Sequence, residues 1–185
     1  MSIHRHSFET SEAFLRWNEG REGKRELVDG EVIEMMTGGS KRHARLMLDL
    51  ALFLSNGLSN SGLVVTAADY AVRTPFGIRY PDVLVTPGRE TGDSLASSEA
   101  LLIAEILSPS SLAMDFGEKA AEYTAIDSLA HYLVLSQDEP RVWVWSRGED
   151  GSFERPVMIA GREETLHLSA LGLDLPLADL YRGIA

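Results

Sequence analysis

The stretch Leu101-Leu102-Ile103-Ala104-Glu105-Ile106-Leu107 decides how the rest of the chain is read. It is a short, continuous aliphatic run, closed by Ser108-Pro109, and it carries one carboxylate. A run of this length and composition predicts a strand buried on both faces, as in the middle of an α/β sheet. A buried, unpaired carboxylate costs several kcal/mol or takes up a proton. Either the strand ends at Glu105 and the side chain reaches water, or other groups compensate it.

Two neighbouring segments supply candidates. Downstream, Ser110 to Asp127 predicts a helix. At about 100° per residue, Leu112, Phe116, Tyr123 and Ile126 form one apolar stripe, and Lys119 falls in its middle. Lysine is almost never buried without a partner. The alternatives are a surface pair with Asp115 at i,i+4, or a lysine reaching past the edge of the core. Upstream, Pro81-Asp82-Val83-Leu84-Val85 places another carboxylate at the start of an apolar strand, where proline is tolerated. Together Asp82 and Glu105 offer hard oxygen ligands suited to Mg²⁺ or Mn²⁺. Lys119 would then serve the attacking water or the charge developing on a phosphate.

Working outward, Ser7 to Arg21 predicts a first helix with Thr10 or Ser11 as its cap. Arg25 to Met36 reads as a hairpin about Asp29-Gly30, a strong short turn signal. Thr37-Gly38-Gly39-Ser40 ends it and caps a long helix from Lys41 to Asn56. Strands are expected at Leu63 to Thr66, Tyr70 to Thr74, Arg79 to Thr86, His131 to Leu135 and Arg141 to Ser146, with a loop over 87–98. Phe153 to Ile159 and Thr165 to Leu168 read as a last hairpin before a short helix near Leu177 to Tyr181. The pattern predicts an α/β fold, a mixed central sheet flanked by helices. One domain over residues 1–185 is expected, with its core at about 25–146 and a C-terminal hairpin and short helix over 150–185.

The second predicted helix begins with Lys41, Arg42, His43 and Arg45, positive charge where the helix dipole disfavours it. A phosphate would reconcile them. His43 aligns with Met47, Leu50 and Leu54 and should point inward, so the other reading is a satisfied core histidine beside solvated bases.

Composition narrows the chemistry. The 185 residues include no cysteine, which excludes disulfides, thiolate metal sites and a cysteine nucleophile. No apolar run approaches the roughly 18 residues that span a bilayer, and no apolar segment follows the basic start, so a cytoplasmic protein without membrane association is expected. The formal net charge of −11 opposes tight non-specific binding of a polyanion, but allows a local basic patch or metal ions as counter-charge.

The pattern Glu26-Leu27-Val28-Asp29-Gly30-Glu31, His43, Arg79-Tyr80-Pro81-Asp82-Val83, Glu105-Ile106-Leu107-Ser108-Pro109-Ser110, Asp115-Phe116-Gly117-Glu118-Lys119 and Tyr123 resembles the Uma2 family. These are bacterial proteins of the restriction-endonuclease-like PD-(D/E)xK superfamily. The resemblance runs from about Glu26 to Trp145, in order. It implies a restriction-endonuclease-like core in which Asp82, Glu105 and the carbonyl of Ile106 bind Mg²⁺. The superfamily's lysine usually lies two residues after the glutamate, where this chain has Leu107; in sequences of this family the next helix supplies it, which points to Lys119. Glu31 and His43 match further recurrent positions, expected near the metal, and Arg79 is a candidate partner for phosphate or carboxylate. Family members often carry an aspartate after the strand near Tyr132, where this chain has Leu135-Ser136-Gln137-Asp138.

The resulting expectation is a Mg²⁺-dependent endonuclease that hydrolyses DNA phosphodiester bonds. The alternatives are a non-catalytic binding or assembly module that keeps the fold, and a hydrolase of a small phosphodiester. A homodimer is a further expectation, through exposed candidates such as Trp143 or Trp145, unless these cover the chain's own sheet.

Overall fold

Asp29 and Gly30 both have positive φ, 49° and 80°, as the tight turn of a two-residue hairpin requires. The computed structural model that contains this turn describes residues 6–35, 38–108 and 112–184. Residues 1–5 of the basic start, the hairpin end at Met36, the expected cap contribution of Thr37 and the helix start at Ser110 lie outside them. In chain order come α1 (Ser11–Asn18), β1 (Lys24–Val28), β2 (Glu31–Met35) and α2 (Lys41–Gly57). There follow β3 (Val64–Ala67), β4 (Ala71–Thr74), β5 (Gly77–Arg79), β6 (Val83–Thr86), β7 (Ala96–Ser97) and β8 (Leu102–Ile106). After α3 (Leu112–Phe116) and α4 (Glu118–Thr124) come β9 (His131–Leu135), β10 (Arg141–Ser146), β11 (Val157–Ala160) and β12 (Thr165–Leu168). A 3₁₀ turn at Ser169–Leu171, β13 (Leu173–Pro176) and α5 (Leu177–Leu180) close the chain.

The architecture is mixed α/β, as expected. Its central sheet has the order β11-β10-β9-β8-β6-β3, with β8 and β9 parallel and the other pairings antiparallel. A second sheet runs β2-β1-β5-β4-β7, and β12 and β13 form a separate ribbon. Every residue of β8 is buried, so the strand does not end at Glu105: it continues through Ile106, with Glu105 opposite Val134 of β9. Because side chains alternate along a strand, Leu102, Ala104 and Ile106 pack with Leu46, Leu50 and Leu54 of α2. Ile103 and Leu107 pack on the other face, with Ala120 and Tyr123 of α4. Glu105 shares that second face.

Four expectations are corrected. The single strand over Arg79 to Thr86 is two strands in different sheets, because Tyr80-Pro81-Asp82 carries the chain from β5 to β6 and proline cannot donate to a continuing ladder. The helix over Ser110 to Asp127 is broken at Gly117 into α3 and α4. Leu112 is therefore 56% exposed instead of joining the apolar stripe. In the tail, β11 pairs with β10 and β12 with β13, so Phe153 to Ile159 and Thr165 to Leu168 do not form one hairpin. Trp143 and Trp145 cover the chain's own sheet: both pack edge-on or tilted against Phe116, and Trp145 also lies 5.1 Å from Tyr132. The loop over 87–98 contains only the short β7. Among the described residues, no helix is long and apolar enough to cross a membrane.

Candidate functional site

Asp82 sits where the chain crosses between the two sheets, one residue before β6, and β6 registers Val83 against Ala104 of β8. That register brings the carboxylate beside the end of β8, where the Ile106 amide donates to Asp82 Oδ2 at 2.8 Å. His43, in the first turn of α2, brings Nε2 within 3.2 Å of the same oxygen. Its position is fixed by the cap of α2, since the His43 amide donates to Ser40 Oγ at 3.0 Å. Burial pushes the Asp82 carboxyl up, but His43, the Ile106 amide and the more distant Lys24 together hold it below the ordinary aspartate value. The Asp82 hydrogen bond and charge outweigh burial at His43 and raise its imidazole above the usual histidine range.

Glu105 meets the helix side of the sheet. Its Oε1 accepts from Lys119 Nζ and from the Tyr123 hydroxyl, each at 2.8 Å. Burial pushes Glu105 up to about 7, against the attraction of Lys119 and with the repulsion of Asp82, Asp115 and Glu26. Lys119 is also buried. Burial alone would favour its neutral form, but Glu105, Glu26 and Asp115 more than reverse that, so the ammonium stays charged. Asp115 Oδ1 lies 3.6 Å from Nζ and Glu26 Oε1 lies 4.0 Å away.

Glu26 extends the cluster into the second sheet. Its Oε2 accepts from Arg79 Nη1 at 2.7 Å, and its Oε1 accepts from the Tyr80 amide at 3.2 Å. Arg79 is fully buried and grips Glu122 with its other side, through Nε at 2.8 Å and through Nη2. Neither Glu26 nor Glu122 stands out in the sequence as a site residue. Glu26 stands on a hairpin strand whose alternation suits a solvent face; its burial depends on Arg79, far away in sequence. Glu122 shares α4 with Lys119 and sits one residue before Tyr123, so its closeness to the inward face of that helix is the signal that could have found it.

Asp82, Glu105, Lys119, Asp115, Tyr123, His43 and Arg79 thus belong to one connected network. Glu31 is exposed beside the hairpin turn, opposite Val28. A cleft of about 1290 Å³ opens onto this network. Asp82, His43, Lys24, Ser40, Ser108 and Gln137 are in its wall, while Glu105 and Lys119 lie outside that lining.

The donor set can be tested for a divalent ion. Described bonds to Asp82 fall on Oδ2 and those to Glu105 on Oε1, so Asp82 Oδ1 and Glu105 Oε2 stand outside them. Two hard carboxylate oxygens and a carbonyl on adjoining strands suit Mg²⁺, which completes its shell with water and phosphate. Among the described residues, no group of three or more histidine, cysteine, aspartate or glutamate side chains is arranged as a ready metal cage.

Comparison with known proteins agrees with this architecture. The chain is 28% identical over 177 residues to the uncharacterized protein slr1290 of Synechocystis sp., covering 94% of this chain and 92% of the relative. The uncharacterized protein sll1609 of the same organism is 29% identical over 133 residues, or 69% of this chain and 75% of the relative. The crystal structure of a "putative nuclease belonging to DUF820" from Anabaena variabilis superposes with a TM-score of 0.73 at 13% identity. That likeness covers 95% of this chain and 99% of the other, and shows a shared fold. The model of the family described as "Uma2: Putative restriction endonuclease" matches residues 11–178, and the chain belongs to that family.

Proposed function

We propose that this protein is a Mg²⁺-dependent endonuclease that hydrolyses DNA phosphodiester bonds at the Asp82 end of the cleft. One observation carries the reading: the β6–β8 register brings Asp82, one residue before β6, to the end of β8 that carries Glu105, with the Ile106 amide donating to Asp82 and Lys119 donating to Glu105. Asp82, Glu105 and the carbonyl of Ile106 would hold the ion, and Mn²⁺ suits the same donors. When bound, the ion would polarise a phosphate oxygen and lower the pKa of a coordinated water.

The chain's own groups divide the remaining work. Lys119 carries its proton throughout, so it acts by charge rather than as a base: it draws Glu105 toward its ionised form and offsets negative charge gathering on the phosphate. Tyr123 fixes the second edge of Glu105 through its hydroxyl. His43, in the cleft wall beside Asp82, which raises its pKa, is the group best placed to donate to a phosphate oxygen when protonated. Arg79 is saturated by Glu26 and Glu122, so its role is to hold the network and not to contact substrate. Asp115 keeps Lys119 in register from α3.

A second reading is favoured by a specific observation. Glu105 and Lys119 are buried against each other outside the lining of the cleft, as a structural ion pair in a binding or assembly module would be. Metal titration separates the two. Calorimetry with Mg²⁺ and Mn²⁺ on wild type, Asp82→Asn and Glu105→Gln should give binding that both substitutions abolish. Cleavage of plasmid, single-stranded DNA and a small chromogenic phosphodiester should then require the metal and Asp82. Folded wild-type protein that binds neither metal would refute the endonuclease reading, and cleavage confined to the small ester would move the substrate.

A further inference from the structure

The basic side chains in the cleft wall are Arg21, Lys24, Arg25 and His43. All but Lys24 are held by neighbours. Arg21 donates through Nε to the Trp17 carbonyl and lies 4.5 Å from the centroid of the Trp17 ring. Arg25 faces Glu34 at 3.6 Å, and His43 faces Asp82 at 3.2 Å. The exposed bases at the start of α2 are paired too, Arg42 with Asp138 at 3.1 Å and Arg45 with Asp49 at 2.7 Å. Lys24 is half-buried and forms no ion pair among the described residues.

The strand carries this charge to the site. Side chains alternate along β1, so Lys24 shares the face of Glu26. On that face Glu26 Oε1 accepts from the Tyr80 amide at 3.2 Å and lies 4.0 Å from Lys119 Nζ. β1 runs antiparallel to β5, with Val28 opposite Gly77 and Leu27 opposite Ile78. Stepping back from Leu27 to Lys24 therefore follows the chain as it leaves β5 through Tyr80 and Pro81 for Asp82. The charge is felt there. Lys24 helps to hold the Asp82 carboxyl below its ordinary value and opposes the proton on His43.

Lys119 is not placed for the same part. It is buried outside the lining of the cleft, and its ammonium is shared among Glu105, Asp115 and Glu26. Arg79 is closed off by Glu26 and Glu122. A phosphate entering the cleft meets the Asp82 carboxylate and calls for a cation on the open side of it. A lysine suits that position: a compact charge on a flexible stem, with three donors for phosphate oxygens.

We propose that Lys24 is the lysine that contacts the substrate phosphate, donating from its ammonium to a non-bridging oxygen beside Asp82. The role in catalysis rests on the hydrolytic reading of that site. NMR on the full chain with ¹³C-labelled lysine, titrated with thymidine 5′-monophosphate at constant Mg²⁺, tests the contact directly. The ε-methylene signal of Lys24 should move, and by more than that of Lys119. A Lys24 signal that stays in place overturns the contact. Lys24→Met keeps the apolar stem, so its urea midpoint should hold while kcat/KM for DNA cleavage falls about 10- to 100-fold, the worth of one charge-assisted hydrogen bond. Its binding to a single-stranded oligonucleotide should also lose about 0.7 from the slope of log K against log salt, as one phosphate contact fewer requires. Lys24→Arg keeps the charge and should retain most of the rate. A rate loss shared equally by Lys24→Arg, or one with an unchanged salt slope, assigns Lys24 a packing role and overturns the contact. The two readings fail separately. Metal-dependent cleavage that Lys24→Met leaves unchanged refutes the contact and keeps the hydrolysis. A Lys24 shift on nucleotide binding, without cleavage of any DNA, refutes the hydrolysis and keeps the contact.

Discussion

Replacing Arg79 by methionine isolates the buried charge network from the proposed chemistry. The guanidinium and Glu26 are both fully buried, and the Glu122 side chain is 8% exposed. Removing the arginine leaves two carboxylates with little in exchange. Glu26 Oε1 keeps the Tyr80 amide and Lys119 at 4.0 Å; Glu122 keeps a long contact from the Thr74 hydroxyl at 3.4 Å. Breaking a buried pair by deleting one partner costs about 3–5 kcal/mol, because the other charge stays uncompensated. Against a total stability of about 5–15 kcal/mol, that is a large fraction. Arg79→Met should therefore lower the midpoint of urea denaturation strongly and reduce Tm by about 6–20 °C for a chain of this size. Adding Glu26→Gln and Glu122→Gln to Arg79→Met should recover most of the loss, because the triple variant no longer buries unmatched charge. A loss below about 1 kcal/mol for Arg79→Met, or no recovery in the triple variant, would refute the reasoning.

Glu105 gives a pH signature. Its folded pKa of about 7 lies above the ordinary glutamate value, so its contribution is fully present below about pH 4.5 and is lost as pH rises through 7. Between those limits wild type should lose about 3 kcal/mol relative to Glu105→Gln, read from urea midpoints at pH 5 to 8; parallel pH curves would contradict this. Tyr123→Phe removes a donor to the ionised carboxylate, so it should cost about 1 kcal/mol and move that midpoint above 7. Gly117→Ala would place a Cβ 2.8 Å from the Ala113 carbonyl oxygen, so it should destabilise by about 1–2 kcal/mol in thermal unfolding; a neutral result would show that the break between α3 and α4 gives way easily.

How much of this is legible in the sequence depends on how local each cause is. Glu105 stands out because its own strand is aliphatic on both sides of it, and a buried strand needs no distant partner to be recognised. Lys119 is legible by helical angle although the helix is broken two residues earlier, because α4 alone turns Lys119, Ala120 and Tyr123 inward. Leu112 leaves the stripe because it belongs to α3, on the far side of Gly117; a glycine inside a helix costs about 1 kcal/mol and is the local sign of a break. Asp82 is legible as a strand start, but the crossing between sheets is not, since Pro81 marks an interruption without saying which sheet the next residues join. Glu26 is hidden because the group that holds it is Arg79, on a strand 53 residues away. The pairing of β11 with β10, and not with β12, is likewise a long-range outcome that alternation within the tail does not contain.

The network's charge balance joins the fold to the proposed chemistry. Among the described residues, Glu26, Asp82, Glu105, Asp115 and Glu122 are buried carboxylates, and Arg79 and Lys119 are the buried cations that stand with them. His43 adds a third positive charge only when protonated. Five acids against two or three bases leave the cluster short of positive charge, and in a low dielectric that shortage is resolved by protonating an acid or by admitting a cation. Glu105 yields in this way: burial raises it to about 7, while Asp82, supported by His43 and the Ile106 amide, is held low. A divalent ion between these two would supply the missing charge, return Glu105 to its ionised form and let a polyanionic substrate approach this acidic cluster.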